Sequence, residues 1–283
     1  MLKYASSFDR NNAISVFLMG ALPSVAGSAI SVLLNVFFVW GIISLLRGRY
    51  EFRLTPTDRI ICWTFTMFVA SVLLTALAGE NRARIPQETT WLLPYLSVWV
   101  IIPRLRASRD IDYLEIFIRG AGAGAICGMV LGLIQVVWLN QRAEGGAGNA
   151  AVYAIMSLCL AAIAGLAVSS ASIRLRRLAA AATIAGLVAV ALSLTRGVML
   201  ASIWIGIILL VYSPRGWRSV FKPLVLLGLA ASAAMVAYVD GWDFLLNRFM
   251  QTVTEIHLIV ADGYSRSIGE RLRLWEAGLQ AIS

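Results

Sequence analysis

Charge is scarce in this chain. Asp, Glu, Lys and Arg make up 14% of its 283 residues, against about 25% in an ordinary soluble domain. Hydrophobic residues make up 59% and the mean hydropathy is +0.79. Together these exclude a soluble globular protein and point to a polytopic membrane protein. Such a chain is held by backbone hydrogen bonds inside each span and by packing between spans. Histidine is nearly absent. His257 stands alone, so no histidine metal cluster can form. Cysteine is limited to Cys62, Cys127 and Cys159, all inside apolar runs. They read as small buried hydrophobes, which excludes a disulfide framework or a thiolate metal site. No cleavable leader is expected, because the charged start runs into an apolar tract without a small-residue cleavage pattern and further spans come after it. Ionisable residues are also missing at mid-membrane: Glu115 and Arg119 lie at the end of a span. Their absence elsewhere argues against a proton- or sodium-coupled transporter, which needs such groups near the midplane.

What is present is a series of apolar runs. The tract Ala13 to Leu46 is too long for one crossing of a core about 30 Å thick. It divides into a short span and a second one around a tight turn at Pro23 to Ser28. Further spans are expected at about Ile60–Gly79, Thr89–Pro103, Tyr113–Trp138, Ala150–Ser172, Leu178–Leu194 and Val198–Tyr212, with a ninth that follows the loop from Pro214 to Lys222 and ends near Val239. The fold class is therefore all-α, a transmembrane bundle of about nine spans over residues 1–239. Residues 240–283 form an outer C-terminal segment. Arg104 to Arg109 and Arg174 to Arg177 read as basic loops, and Asn140 to Asn149 as a Gly-rich turn.

Basic residues are distributed unequally. The N-terminus and alternate loops hold sixteen of the 24 Lys and Arg, and the other side holds eight, Arg82, Arg84, Arg142, Arg196, Arg248, Arg266, Arg271 and Arg273. The positive-inside rule then sets the N-terminus in the cytoplasm and puts Arg196 and residues 240–283 together on the opposite face. The net charge of +9 is thus a topology signal and gives no reason to expect nucleic acid as a partner.

Five features are candidates for chemistry. Gly120 to Gly128 has no preceding strand and lies inside a span. Gly124, Gly128 and Gly132, four apart, read as a face that lets another helix approach closely. His257 reads as a solvated loop histidine. The outer carboxylates Asp240, Asp243, Glu255, Asp262, Glu270 and Glu276 match no metal-ligand loop. In Ser193-Leu-Thr-Arg-Gly-Val-Met199, Arg196 is pinned at a membrane face by two nearly touching spans. It is either a snorkelling anchor or a rigid group for an anion. From Arg271, Leu272, Trp275, Leu279 and Ile282 recur with helical spacing, so an amphipathic helix is expected. Arg271 and Trp275 share one side of it and Arg273 points elsewhere. The plain reading of these arginines is contact with lipid headgroups.

An apolar span, Ser193-Leu-Thr-Arg-Gly197 opening the next span, and an outer Arg271-Leu-Arg-Leu-Trp275 resemble the O-antigen ligase and O-antigen polymerase superfamily. The early Ala21-Leu-Pro-Ser24 turn fits as well. The resemblance implies a glycosyltransferase of the bacterial inner membrane acting on its periplasmic face. It implies a glycan donor on undecaprenyl diphosphate, a lipid A-core or glycan acceptor, contact with membrane lipids, and no cofactor or metal. It also implies that Arg196 and Arg271 are catalytic and bind the diphosphate, with Arg273 beside them. The family's catalytic histidine lies downstream of the Arg-Leu-x-x-Trp motif, whereas His257 precedes it. The chain is therefore expected to be truncated within the large periplasmic loop. The alternatives are a repeat-unit polymerase, a non-catalytic truncated membrane protein, and a lipid-glycan flippase. The flippase would need a polar path through the spans.

Overall fold

The computed structural model describes residues 6–78, 85–108, 111–170 and 172–212, with the isolated positions Lys222, Leu226, Ala230 and Met250. Among these residues every regular element is helical: α1 (Ser7–Ala21), α2 (Ala29–Leu46), α3 (Pro56–Ala78), α4 (Ile85–Leu96), α5 (Val98–Arg106), α6 (Tyr113–Val137), α7 (Ala150–Gly165), α8 (Ile173–Leu192) and α9 (Arg196–Tyr212). A 3-10 turn, Leu166–Ser169, comes after α7.

Among the described residues, five helical stretches are long and apolar enough to cross a membrane: Ala29–Leu46, Pro56–Leu77, Tyr113–Val137, Ala150–Val168 and Ile173–Leu192. The expected first span is α1, with 15 residues, and the expected eighth is α9, with 17. Apart from Leu226, Ala230 and Met250, the expected ninth span and the C-terminal segment 240–283 lie outside the described residues. The division of the first apolar tract holds, since α1 ends at Ala21 and α2 starts at Ala29.

Three local readings need correction. The fourth span is two helices, because Pro94 supplies no N–H and weakens the ladder. The Ser97 hydroxyl donates to the Pro94 carbonyl at 2.5 Å, and α5 starts one residue later. Arg174, Arg176 and Arg177 are not a loop. They lie in the first turns of α8, since arginine is a good helix former and nothing breaks the run after Ser172. Of the cysteines only Cys62 is buried; Cys127 and Cys159 are exposed, which in an apolar span means facing lipid.

The bundle centres on α6, α7 and α8. Small residues dominate it: Ala121, Ala125, Ala164 and Ala182 form one buried cluster with Leu160. Lipid tails are as apolar as side chains, so close packing and hydrogen bonds hold helices together here, with little hydrophobic drive. The glycine face of α6 serves that purpose. A Cβ on Gly124 would lie 2.7 Å from the Gly20 carbonyl oxygen and 2.8 Å from that of Ala21, so α1 lies directly on it. The Ser24 hydroxyl donates to the Gly124 carbonyl at 2.8 Å, and Tyr153 on α7 donates to the Gly128 carbonyl at 2.7 Å.

One end of the bundle is closed by a buried polar cluster. Arg104, which the sequence places in a basic loop, is fully buried. Its Nε donates to Asn12 Oδ1 at 2.7 Å, and its guanidinium lies 4.2 Å from the Phe37 ring centroid and 5.4 Å from that of Phe8. Asn12 donates to Ser108 at 3.3 Å, and the Ser108 hydroxyl donates to Asp9. In the α2–α3 loop, Tyr50 donates to the Gly41 carbonyl at 3.0 Å. Burial pushes its hydroxyl above the ordinary value, against the opposing pull of the Arg104 charge. Nearby, Thr55 and Asp58 form a reciprocal cap on α3, and Arg106 grips the Asp58 carboxylate through Nε at 2.7 Å and Nη2 at 2.9 Å.

Candidate functional site

The opposite end gathers three connections: Leu22–Ser28, residues 138–149, and Ser193–Thr195. They are tied by main chain. Gly27 N–H donates to the Gly146 carbonyl at 3.1 Å, Gly146 N–H to that of Ser24 at 3.3 Å, and Ala143 N–H to that of Leu192 at 3.2 Å. The middle connection is stiffened from within. Gln135, near the end of α6, accepts from the Glu144 and Gly145 amides at 2.9 and 2.8 Å and donates to the Gly145 carbonyl at 2.9 Å. Asn149 then caps α7 by accepting from the Ala151 and Val152 amides. Gly145, at φ +54, takes the left-handed conformation this path requires.

The α8–α9 connection is as short as the sequence implies. α8 ends at Leu192 and α9 begins with Arg196 itself, so Arg196 is a helix-opening residue and the turn proper is Ser193–Thr195. Ser193 is fully buried. Its hydroxyl donates to the Val190 carbonyl at 2.6 Å and accepts from the Thr195 amide at 3.2 Å. The Thr195 carbonyl accepts from the Val198 and Met199 amides at 3.1 and 3.0 Å, which starts α9. Leu194 adopts φ +55, a left-handed conformation costing a side-chain-bearing residue about 1 kcal/mol.

Arg142, in the middle connection, reaches this turn. Its Nε donates to the Ser193 carbonyl, and its Nη2 donates to the Thr195 hydroxyl at 2.9 Å. By sequence Arg142 is only one of the basic residues on the same side as Arg196. Its lone basic charge in a Gly-rich connection is the one sign there that it matters. Arg271, Arg273, His257 and the outer carboxylates lie outside the described residues.

The turn and the Arg271–Trp275 motif both fall inside the stretch that compares with known proteins. Residues 181–283 match the family model described as O-antigen ligase. Over that stretch the chain is similar to the O-antigen ligase superfamily. No curated protein and no solved structure matches it. The match begins within α8, so the O-antigen ligase signature covers the α8–α9 turn and the residues C-terminal to it, while α1 to α7 supply the platform on which the turn rests. That similarity points to glycosyltransferase-type activity and lipid-linked glycan substrates in general terms.

Proposed function

We propose that the protein transfers a glycan from undecaprenyl diphosphate to a lipid or glycan acceptor at the periplasmic face of the bacterial inner membrane, with its N-terminus in the cytoplasm. The observation that carries this reading is the position of Arg196, the first residue of α9 after a turn of three residues, within the O-antigen ligase match. A lipid diphosphate lies at the headgroup plane, where such a turn can reach it. A guanidinium fork binds phosphate oxygens and stays charged at every relevant pH. Cleaving the glycosyl–phosphate bond leaves negative charge on the diphosphate, and Arg196 and Arg271 would stabilise it, with Arg273 alongside. A neutral base takes the proton of the attacking acceptor hydroxyl.

The direct test is transfer by the purified full-length protein from a synthetic undecaprenyl-diphosphate oligosaccharide. Release of undecaprenyl diphosphate with glycan on a lipid A-core acceptor supports the ligase. Growth of the glycan on the lipid diphosphate instead identifies the polymerase. Lipid transfer across the bilayer without glycan cleavage would turn the assignment to a flippase.

Two further results are expected. The shared face of Arg196 and residues 240–283 can be probed in a variant lacking the native cysteines. Ser193 is unsuitable as the label site because it is buried, whereas Gly197 is exposed. Gly197→Cys and Gly263→Cys should both react with an impermeant thiol reagent outside spheroplasts, and labelling of only one would refute the topology. His257→Ala should retain near-normal transfer, because His257 precedes the arginine motif. A loss of a hundredfold or more would identify His257 as the base.

A further inference from the structure

We propose that Arg142 is a positioning residue for Arg196, fixing the Ser193–Thr195 turn, and through it the start of α9, against the α6–α7 connection. The proposal rests on the reading of Arg196 as a ligand of the donor diphosphate. Its geometric basis is the grip itself: Nε and Nη2, on one edge of a planar fork, take two acceptors of the same turn, the Ser193 carbonyl and the Thr195 hydroxyl. A surface arginine that served only as a headgroup anchor would not commit that edge to a turn 51 positions away in sequence.

Both sides of the grip are suited to the task. The turn contains Leu194 at φ +55, and a strained residue of this kind persists only where its surroundings over-determine it. The connection that carries Arg142 is itself rigid. Gln135 makes three hydrogen bonds to it, Gly146 is paired with the α1–α2 turn, and Ala143 is fully buried and bonded to Leu192. Arg142 thus links the residue before Arg196 to the packed α1–α6 pair. An arginine that must meet charge growing on a leaving group loses effect when displaced, since a shift of about 1 Å can cost up to a hundredfold.

The test is a cycle of variants in the full-length protein at matched expression, with a synthetic undecaprenyl-diphosphate oligosaccharide as donor. Arg142→Ala should lower kcat about tenfold and leave the donor KM within about threefold. Arg142→Lys should restore little, because one ammonium on a flexible stem does not reproduce the two-point planar fork. In an Arg196→Lys background, Arg142→Ala should add less than about a twofold loss, since its effect runs through Arg196. Thr195→Val, which removes one acceptor and leaves the arginine in place, should show a smaller loss and the same non-additivity, and it serves as the cycle if Arg142→Ala does not fold. Unchanged kcat in Arg142→Ala, or losses that multiply in the double variant, would overturn the positioning role while Arg196 keeps its own. Arg196→Lys with wild-type activity would instead remove the site reading, and the positioning role with it.

Discussion

Replacing Arg196 or Arg271 by alanine should lower transfer from a lipid-diphosphate donor by about 10²–10³-fold, roughly 3–4 kcal/mol, without loss of folded protein. Each would be a fixed donor at the point where charge develops on the leaving diphosphate, and a preorganised donor in a site with little water has no solvent substitute. Arg196→Lys and Arg271→Lys should recover only part of the rate, because an ammonium is a point charge without the planar fork. Arg273→Ala should be the mildest of the set, since Arg273 lies two positions from Arg271 and a helix of the expected spacing turns it elsewhere. The measurement is initial rate at saturating donor. Wild-type rates for all these variants would reduce the arginines to membrane anchors and leave the glycosyltransferase reading on family resemblance alone.

The largest effect on stability is expected on the glycine face of α6. In Gly124→Val the new Cβ meets the main-chain oxygens of Gly20 and Ala21 at 2.7 and 2.8 Å, and neither is the movable tip of a side chain. α1 must therefore lift from α6, with strain of about 1–3 kcal/mol or more and disturbance of the Ser24 hydrogen bond to the Gly124 carbonyl. Gly197→Ala is the control, because a Cβ there has nothing within 4 Å. Thermal unfolding in detergent should show a clear drop in midpoint for Gly124→Val and little for Gly197→Ala. A Gly124→Val midpoint equal to wild type would mean that the close approach of α1 to α6 is not what holds them.

Features governed by local chemistry were legible in the sequence. Pro23 and its neighbours mark the break between α1 and α2, the run from Asn140 to Asn149 marks the α6–α7 connection, and four-residue glycine spacing marks the α6 contact face. Features governed by partners distant in the chain were not. Arg104 reads as one more basic loop residue until Asn12, 92 positions earlier, is brought beside it. Arg142 reads as a lone surface charge until the Ser193 turn meets it. The lipid-facing position of Cys127 and Cys159 was hidden for another reason. Helices apolar all round carry no polar face to mark the outside, and in a membrane the core and the solvent are chemically alike. The short Ser193–Thr195 turn was visible because two apolar runs leave room for nothing longer.

The buried Arg104 has a consequence for biogenesis. Its hydrogen-bond acceptors, Asn12 and the Phe37 carbonyl, and both rings that flank it, Phe8 and Phe37, precede it in the chain. Ribosomal synthesis therefore delivers α1 and α2 to the bilayer before the guanidinium emerges, so its acceptors and both rings are there to receive it. Asn12→Leu would leave that charge without its principal acceptor at the moment of insertion, so its defect should show as a failure of α5 to integrate during translation, before any glycan is handled.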